Sequence, residues 1–210
     1  VKTRIIHNNK HVLRLDEETL KEISSAEEKK LFSKISSIIK KQNIGVIIFE
    51  DYNKGCITPS LIKQIVKLAT EKNIPVAVDP KKKNFFAYKN VTLFKPNFKE
   101  LKEGLNLPDL KAADRAGVEQ AVEILQKKLK AEMVLLTLSE NGMYLADRKN
   151  KIHVTAHQRN IVDVSGAGDT VIAVAALCLA AKTDPKNLIE LANLAGGLVC
   201  EKPGVVPVNK

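Results

Sequence analysis

The sequence predicts an α/β protein whose mainly parallel central sheet is covered by helices on both faces. Three observations carry this expectation. Short apolar runs at 46–49, 76–78, 91–94 and 133–138 recur between longer stretches of helical periodicity. These runs are continuous rather than alternating, which is the pattern of strands covered on both sides. The chain has 210 residues, 44% of them hydrophobic, enough for one α/β domain with a full core. Lysine, glutamate and aliphatic residues are spread evenly, and no low-complexity linker interrupts them, so 1–210 reads as one domain.

Taken in order, the chain opens as a hairpin: a strand through Ile6, a turn at Asn8-Asn9-Lys10, and a return strand over 12–15. A charged helix follows, most regular over 27–41, where Leu31, Ile35, Ile38 and Ile39 share one face. The run Val46-Ile47-Ile48-Phe49 is the first core strand, and a loop leads from it into a helix over 59–71. Strands at 76–78 and 91–94 come next, then a short helix from about Phe98. A helix over 117–129 feeds a buried strand at 133–138. Asn141-Gly142 marks a hairpin turn into 143–146, and 151–155 can pair beside it. Helices over 168–182 and 185–200 close the chain. In a sheet of this kind ligands bind beyond the carboxyl ends of the strands. Each motif below falls at such an end.

Composition excludes several classes. Lys and Arg exceed Asp and Glu by 34 to 24, a net charge of +10. Aromatic residues are only 4%, and the lysines are scattered over helices apart from Lys81-Lys82-Lys83, so no nucleic-acid-binding surface is expected. The useful reading of the charge is a field that favours phosphorylated small molecules. No stretch approaches the roughly 18–20 apolar residues of a membrane span. Cys56, Cys178 and Cys200 form no CxxC pair and are expected as free thiols in a reducing cytoplasm. His7, His11, His153 and His157 lie in strand or loop, where a spacing of four does not bring side chains together as a zinc site would need. The chain begins at Val1 without methionine and enters a strand almost at once, with no signal-peptide pattern, so preceding sequence is expected.

The strongest chemical signal is Asp163-Val164-Ser165-Gly166-Ala167-Gly168-Asp169-Thr170, directly ahead of an apolar helix. Small residues at 166–168 allow a tight turn that exposes consecutive N–H groups, and a helix starting there adds the positive end of its dipole. Such a place suits the negative charge of a transferring phosphoryl group. Asp169, in the first turn, can accept the proton of an attacking hydroxyl. On local grounds it reads equally as an N-cap acid after a glycine-rich turn. The segment lacks the Gly-Lys-Ser/Thr of a Walker A loop.

This stretch resembles the C-terminal signature of the ribokinase-like, or PfkB, carbohydrate kinases. The resemblance implies a three-layer α/β/α fold, ATP and Mg²⁺ as cofactors, with a monovalent cation as an optional third, and a small-molecule sugar phosphate as acceptor. It assigns the catalytic base to Asp169 and the anion hole to Gly166, Ala167 and Gly168. Lys95-Pro96-Asn97-Phe98-Lys99-Glu100 resembles the family's Asn-x-x-Glu segment. It implies that Asn97 lies near the phosphates and that Glu100 holds Mg²⁺ through water; locally, the pair also reads as a capping box. Thr137, Ser139 and Gly142, in Thr137-Leu138-Ser139-Glu140-Asn141-Gly142, resemble the nucleotide-flanking strand and turn, and Asn193 a position near the adenine. An ordinary hairpin and a small-residue packing face are the plain alternatives.

Asp51-Tyr52-Asn53-Lys54-Gly55, Val78-Asp79-Pro80-Lys81, Val1-Lys2-Thr3-Arg4 and the segment 162–172 are similar to the heptose 7-phosphate kinase branch. That branch phosphorylates D-glycero-D-manno-heptose 7-phosphate at its anomeric hydroxyl, toward ADP-heptose for the lipopolysaccharide core, and is often fused to a nucleotidyltransferase domain. The resemblance covers the later, larger part of the kinase domain. Its N-terminal part is expected to be missing, and no nucleotidyltransferase domain is expected within the chain. A nucleotidyltransferase partner or fusion and a homodimer are both compatible with it. Asp51, Lys54, Lys81 and Arg4 become the expected contacts for the sugar phosphate, though lysine and arginine also serve as plain solvated charges. Ser165 stands where the branch usually has Thr, and Lys82 where it usually has Gly. Two other readings stay open: a ribokinase-like kinase of a different sugar, and a nucleotide-binding piece without turnover.

Overall fold

The structure is a computed structural model that describes residues 2–7, 10–157 and 159–208. A six-stranded sheet forms its middle layer, in the order β3 (Ile47–Glu50), β4 (Val76–Asp79), β5 (Leu93–Phe94), β6 (Met133–Thr137), β7 (Met143–Ala146) and β8 (Lys151–Val154). From β3 to β6 every pairing is parallel; β7 and β8 add antiparallel strands at the far edge. The mainly parallel sheet is therefore present.

Strand alternation divides the core. Val76 and Val78 of β4, with Val134 and Leu136 of β6, face one helical layer; Ala77 and Leu135 face the other. The first layer contains α1 (Ser25–Lys41), α2 (Pro59–Glu71), α3 (Phe98–Leu105) and α4 (Arg115–Leu129), and the second contains α5 (Ala167–Ala180) and α6 (Pro185–Val199). The small Ala77 on β4 and Ala175 and Ala176 on α5 let that helix run close to β3 and β4. Such contact positions the start of α5 at the carboxyl ends of β3 and β4.

Most helix starts are written in the sequence. Ser24, Thr58, Asn97, Asp114 and Asp184 each accept a backbone N–H from the first turn of α1, α2, α3, α4 and α6. The cap at Asp114 explains why α4 begins two residues before the expected 117. α5 has Gly166 as its N-cap and no side-chain acceptor there.

Other departures are local. The strand expected at 91–94 contracts to Leu93–Phe94, preceded by Asn90 in left-handed backbone at φ 58°. The turn expected at Asn141-Gly142 is a short 3₁₀ turn, Ser139–Asn141, closed by Gly142 at φ 83°. A Cβ on Gly142 would lie 2.0 Å from the Val154 carbonyl oxygen, so only glycine fits. Lys82 opens a 3₁₀ turn, Lys82–Asn84, without positive φ, so glycine is not required there.

β1 (Lys2–His7) and β2 (Lys10–Asp16) form the expected hairpin as a separate antiparallel sheet. The turn residues Asn8 and Asn9 lie outside the described residues. Among the described residues the three cysteines are free, no cluster of three or more metal-ligating side chains occurs, and no helix is long and apolar enough to cross a membrane.

Candidate active site

The carboxyl ends of β3, β4 and β5 meet the start of α5. Gly166 adopts φ 81°, and Thr170 N–H donates to its carbonyl at 2.9 Å, so the helix turns directly out of the glycine. Asp163 shapes the approach. Its two carboxylate oxygens accept from Ser165 N–H and from Gly204 N–H, both at 2.9 Å, tying the loop to the C-terminal segment. Gly168 and Asp169 thus stand in the first turn of a helix that carries no side-chain cap. Their N–H groups point along the positive end of the dipole, an anion-binding arrangement.

Asp169 is solvent-exposed, and one oxygen accepts a hydrogen bond from Tyr52 Oη at 2.9 Å. Tyr52 follows Asp51 in the loop after β3, so this contact joins that loop to the start of α5. Burial, and then the bond to Asp169, push the Tyr52 phenol up to about 12, which keeps it a donor across the working pH range. Glu50, at the end of β3, is raised by burial and then by the neighbouring Asp169 and Asp79 carboxylates.

A cluster of charges lies behind this loop. Asp79, ending β4, has its carboxyl raised by burial, opposed by Lys95 and Lys81. Lys95 Nζ is 3.1 Å from Asp79, and Lys81 Nζ is 3.9 Å from Asp79 and 2.6 Å from Glu100. Burial pulls the Lys81 ammonium down, but its bonds to Glu100 and Asp79 outweigh it and the net shift is upward.

Asn97 and Glu100 form a complete capping box on α3: Asn97 Oδ1 accepts from Glu100 N–H at 2.8 Å, and Glu100 Oε2 accepts from Asn97 N–H at 2.9 Å. The capping reading is therefore satisfied in the structure. Glu100 uses its other oxygen to hold Lys81. A short bridge between Asn97 and Thr137 brings α3 beside the end of β6.

Beside the Gly166–Asp169 turn opens a cavity of about 560 Å³, lined by Thr137, Ser139, Gly142, Gly168, Arg159 and Asn193 among others. This volume suits a nucleotide-sized ligand. Four of the positions expected around a nucleotide, Thr137, Ser139, Gly142 and Asn193, converge here from β6, the following turn and α6. Asn193 is buried and donates to the Thr155 carbonyl at 2.9 Å, which fixes the wall between α6 and β8. Asn97 and Glu100 do not line the cavity; they stand at the neighbouring strand end with Lys81.

The expected sugar contacts separate. Asp51 is 3% exposed, and its carboxylate accepts from Asn84 Nδ2 and Tyr88 Oη at 2.8 Å and from Asn53 N–H at 2.8 Å. Its acceptors face inward, so Asp51 anchors the loop in this structure. Lys54 sits on the outer side of that loop and pairs with Glu18. Lys81 stands with Glu100 and Asp79. Arg4 lies on β1, and its side chain is outside the described residues.

Three participating residues were not assigned from the sequence. Tyr52 reaches Asp169 across 117 positions, a contact without local signature. Lys95 did carry a signal, since it continues the buried strand Leu93–Phe94 with a charge. Arg159, which lines the cavity and pairs with Glu201 at 2.5 Å, lies in an irregular stretch that periodicity does not describe.

Comparison with known proteins bears on the family and the fold. The chain is 36% identical over 209 residues to the Bifunctional protein HldE of Methylobacillus flagellatus and 39% identical over 208 residues to that of Campylobacter jejuni subsp. doylei. These matches include 100% and 99% of the chain but 42% and 43% of the relatives, so the chain spans less than half of their length. Among solved structures, phosphofructokinase-2 from Escherichia coli in complex with potassium superposes with a TM-score of 0.78 at 20% identity, over 93% of this chain and 62% of that one. A ribokinase from Arabidopsis thaliana complexed with ribose and ATP gives 0.67 at 20% identity, over 88% and 55%. Both show the ribokinase-like fold. The description "pfkB family carbohydrate kinase" matches residues 7–210, nearly the whole length. With the Gly166–Asp169 turn, the uncapped helix and the adjoining cavity in place, the chain belongs to the pfkB family of carbohydrate kinases.

Proposed function

We propose that the protein containing this chain transfers a phosphoryl group from ATP to the anomeric hydroxyl of D-glycero-D-manno-heptose 7-phosphate. The observation that carries the proposal is the placement of Asp169 in the first turn of the uncapped helix α5, beside a nucleotide-sized cavity. Asp169 accepts the proton of the attacking hydroxyl. The N–H groups of the 166–168 turn take up the charge that develops on the transferring phosphoryl oxygens. Thr137, Ser139, Gly142 and Asn193 hold the nucleotide, and Asn97 stands near its phosphates.

Glu100 offers a hard oxygen donor suited to holding Mg²⁺ through water. When bound, Mg²⁺ supplies charge neutralisation for the phosphates.

The heptose assignment rests on the branch resemblance of the segments at 51–55, 78–81 and 162–172, together with relatives named Bifunctional protein HldE at 36–39% identity. Lys54 and Arg4 are assigned to the sugar-phosphate end, since a phosphorylated acceptor calls for charge-assisted contacts. The relatives' name also supports a second activity in the full-length protein, or a nucleotidyltransferase partner. The reaction would be cytoplasmic.

The test is a kinase assay of the full-length protein over a panel of sugars and sugar phosphates. Heptose 7-phosphate is expected to exceed free heptose by about 10²-fold or more in kcat/KM, from the loss of one or two ionic contacts. Equal use of the two, or better turnover of ribose or fructose 6-phosphate, would contradict the heptose assignment and leave the wider family.

A further inference from the structure

A carboxylate that takes a proton from an acceptor hydroxyl has to be held in a fixed direction, and the start of α5 does little to hold Asp169. The residue is exposed, and the helix turn that carries it has no side-chain cap. Among the described residues its carboxylate accepts one hydrogen bond, from Tyr52 Oη to Oδ1 at 2.9 Å. Oδ2 is left without one.

The donor is delivered by a loop that is pinned on both sides of it. Before Tyr52, the Asp51 N–H donates to the Asp79 carbonyl at 3.1 Å, and the Asp51 carboxylate is taken up by Asn84, Tyr88 and the Asn53 N–H. After it, Asn53 turns the chain in left-handed backbone at φ 56°, and the Gly55 carbonyl accepts from the Ile23 N–H at 3.1 Å. A Cβ on Gly55 would lie 2.0 Å from the Lys21 carbonyl oxygen, so the segment ahead of α1 rests directly on the loop. Tyr52 is therefore a half-exposed side chain between two fixed points. With two side-chain torsions to set, an anchored tyrosine places its hydroxyl at low entropic cost. Here it places it on a carboxylate 117 positions away.

The chemistry of the donor suits its neighbours. Glu50 feels both the Asp169 and the Asp79 carboxylates, which add to burial in raising its own carboxyl, so the surroundings of Asp169 are acidic. The Tyr52 phenol brings no charge into this group. Pushed up to about 12 by burial and then by its bond to Asp169, it stays a donor. In phosphoryl transfer the protein contributes mainly positioning and electrostatic stabilisation, so the aim of the base is itself a lever on the rate.

We propose that Tyr52 is a positioning residue of phosphoryl transfer: its hydroxyl, held out by the anchored loop after β3, fixes Oδ1 of Asp169 so that Oδ2 is presented to the acceptor hydroxyl. This rests on the kinase reading of the site, with Asp169 as its base. Tyr52 acts through Asp169 and has no part in holding the nucleotide, so its contribution belongs to kcat. Removing the hydroxyl alone leaves the loop anchors at Asp51, Asn53 and Gly55 in place.

The experiment compares Tyr52→Phe with wild type in the full-length protein, using heptose 7-phosphate and ATP, and repeats the comparison in an Asp169→Asn background. Tyr52→Phe is expected to lower kcat about tenfold, the low end for a hydrogen bond to a charged group, with the KM for ATP within about twofold. In the Asp169→Asn background the same change is expected to move turnover by less than about twofold, because no base is left to aim. The melting temperature of Tyr52→Phe is expected to match wild type, as for an exposed group. Wild-type kcat in Tyr52→Phe would overturn the proposal and leave the kinase reading intact. An equal fall in both backgrounds would overturn it too, since Tyr52 would then act independently of Asp169. So would a fall in kcat that accompanies a lowered melting temperature, the mark of a merely structural tyrosine. If the wild-type protein phosphorylates no sugar or sugar phosphate, the kinase reading itself fails and the proposal goes with it, even where the ionisation of Tyr52 still responds to Asp169→Asn.

Discussion

Asp51 and Asp169 occupy adjoining parts of the same edge of the sheet and have opposite fates. Asp51 is sealed inside, with Asn84, Tyr88 and Asn53 donating to it, and burial followed by its charge raises the Tyr88 phenol above the ordinary range. Asp169 stands in solvent at the start of α5, bonded to Tyr52 across a loop. One carboxylate has its acceptors filled by the interior, and the other keeps acceptor capacity directed at an anion-binding turn. The difference teaches that a carboxylate at this edge of the sheet stays available for chemistry only where the fold leaves it unfinished. Tyr52 links the two: its chain neighbour anchors the loop, and its own hydroxyl reaches the exposed Asp169.

The contrast can be broken first by stability. Asp51→Ala removes the acceptor for two buried side-chain donors, each costing about 1–3 kcal/mol when left unsatisfied. The expected loss is therefore about 2–6 kcal/mol in urea denaturation. Asp169→Ala, at an exposed position, is expected to stay within about 0.5 kcal/mol of wild type. Comparable losses in both variants would erase the distinction between the buried anchor and the exposed carboxylate.

A smaller effect concerns Glu100, which caps α3 and holds Lys81. If it also positions Mg²⁺, Glu100→Gln should raise the Mg²⁺ concentration needed for half-maximal activity several-fold. An unchanged Mg²⁺ titration would leave Glu100 with its capping role, worth about 0.5–2 kcal/mol as a helix cap.

Smallest is a spectroscopic shift. The Asp169 carboxylate disfavours the tyrosinate form of Tyr52, so Asp169→Asn should lower the ionisation of Tyr52 from about 12 toward its ordinary 10.0. Burial, the larger cause, remains, so the return is partial. Tyrosinate absorbance, read as the difference between paired proteins with and without Tyr52→Phe, isolates this group from Tyr88 and Tyr144. An unmoved transition would show that the Tyr52–Asp169 bond is not formed in solution.

Much of this was legible because the sequence writes local rules plainly. Continuous apolar runs gave the parallel strands, and Ser24, Thr58, Asn97, Asp114 and Asp184 mark helix starts by their own chemistry. The Gly166–Asp169 turn was readable for the same reason, since small residues ahead of an apolar helix constrain the backbone locally. The surroundings of Asp51 and Lys81 were not. Whether a carboxylate after β3 faces a ligand or Tyr88, 37 residues on, depends on side-chain direction across the sheet, which no spacing encodes. Lys81 reads as a free strand-end cation until Glu100, 19 residues later, is brought within 2.6 Å. Asn97 and Glu100 show the remaining ambiguity: one spacing serves a capping box and the family's phosphate-side motif alike.

The most direct measurement is turnover of the full-length protein carrying Asp169→Asn, with nucleotide binding measured in parallel. The amide keeps the shape of the side chain and removes the proton acceptor. Turnover on the acceptor sugar is expected to fall by at least about 10²-fold, with ATP affinity largely retained because the cavity walls are intact. Near-normal turnover in Asp169→Asn would remove Asp169 from the chemistry and with it the account of the α5 turn as the centre of phosphoryl transfer.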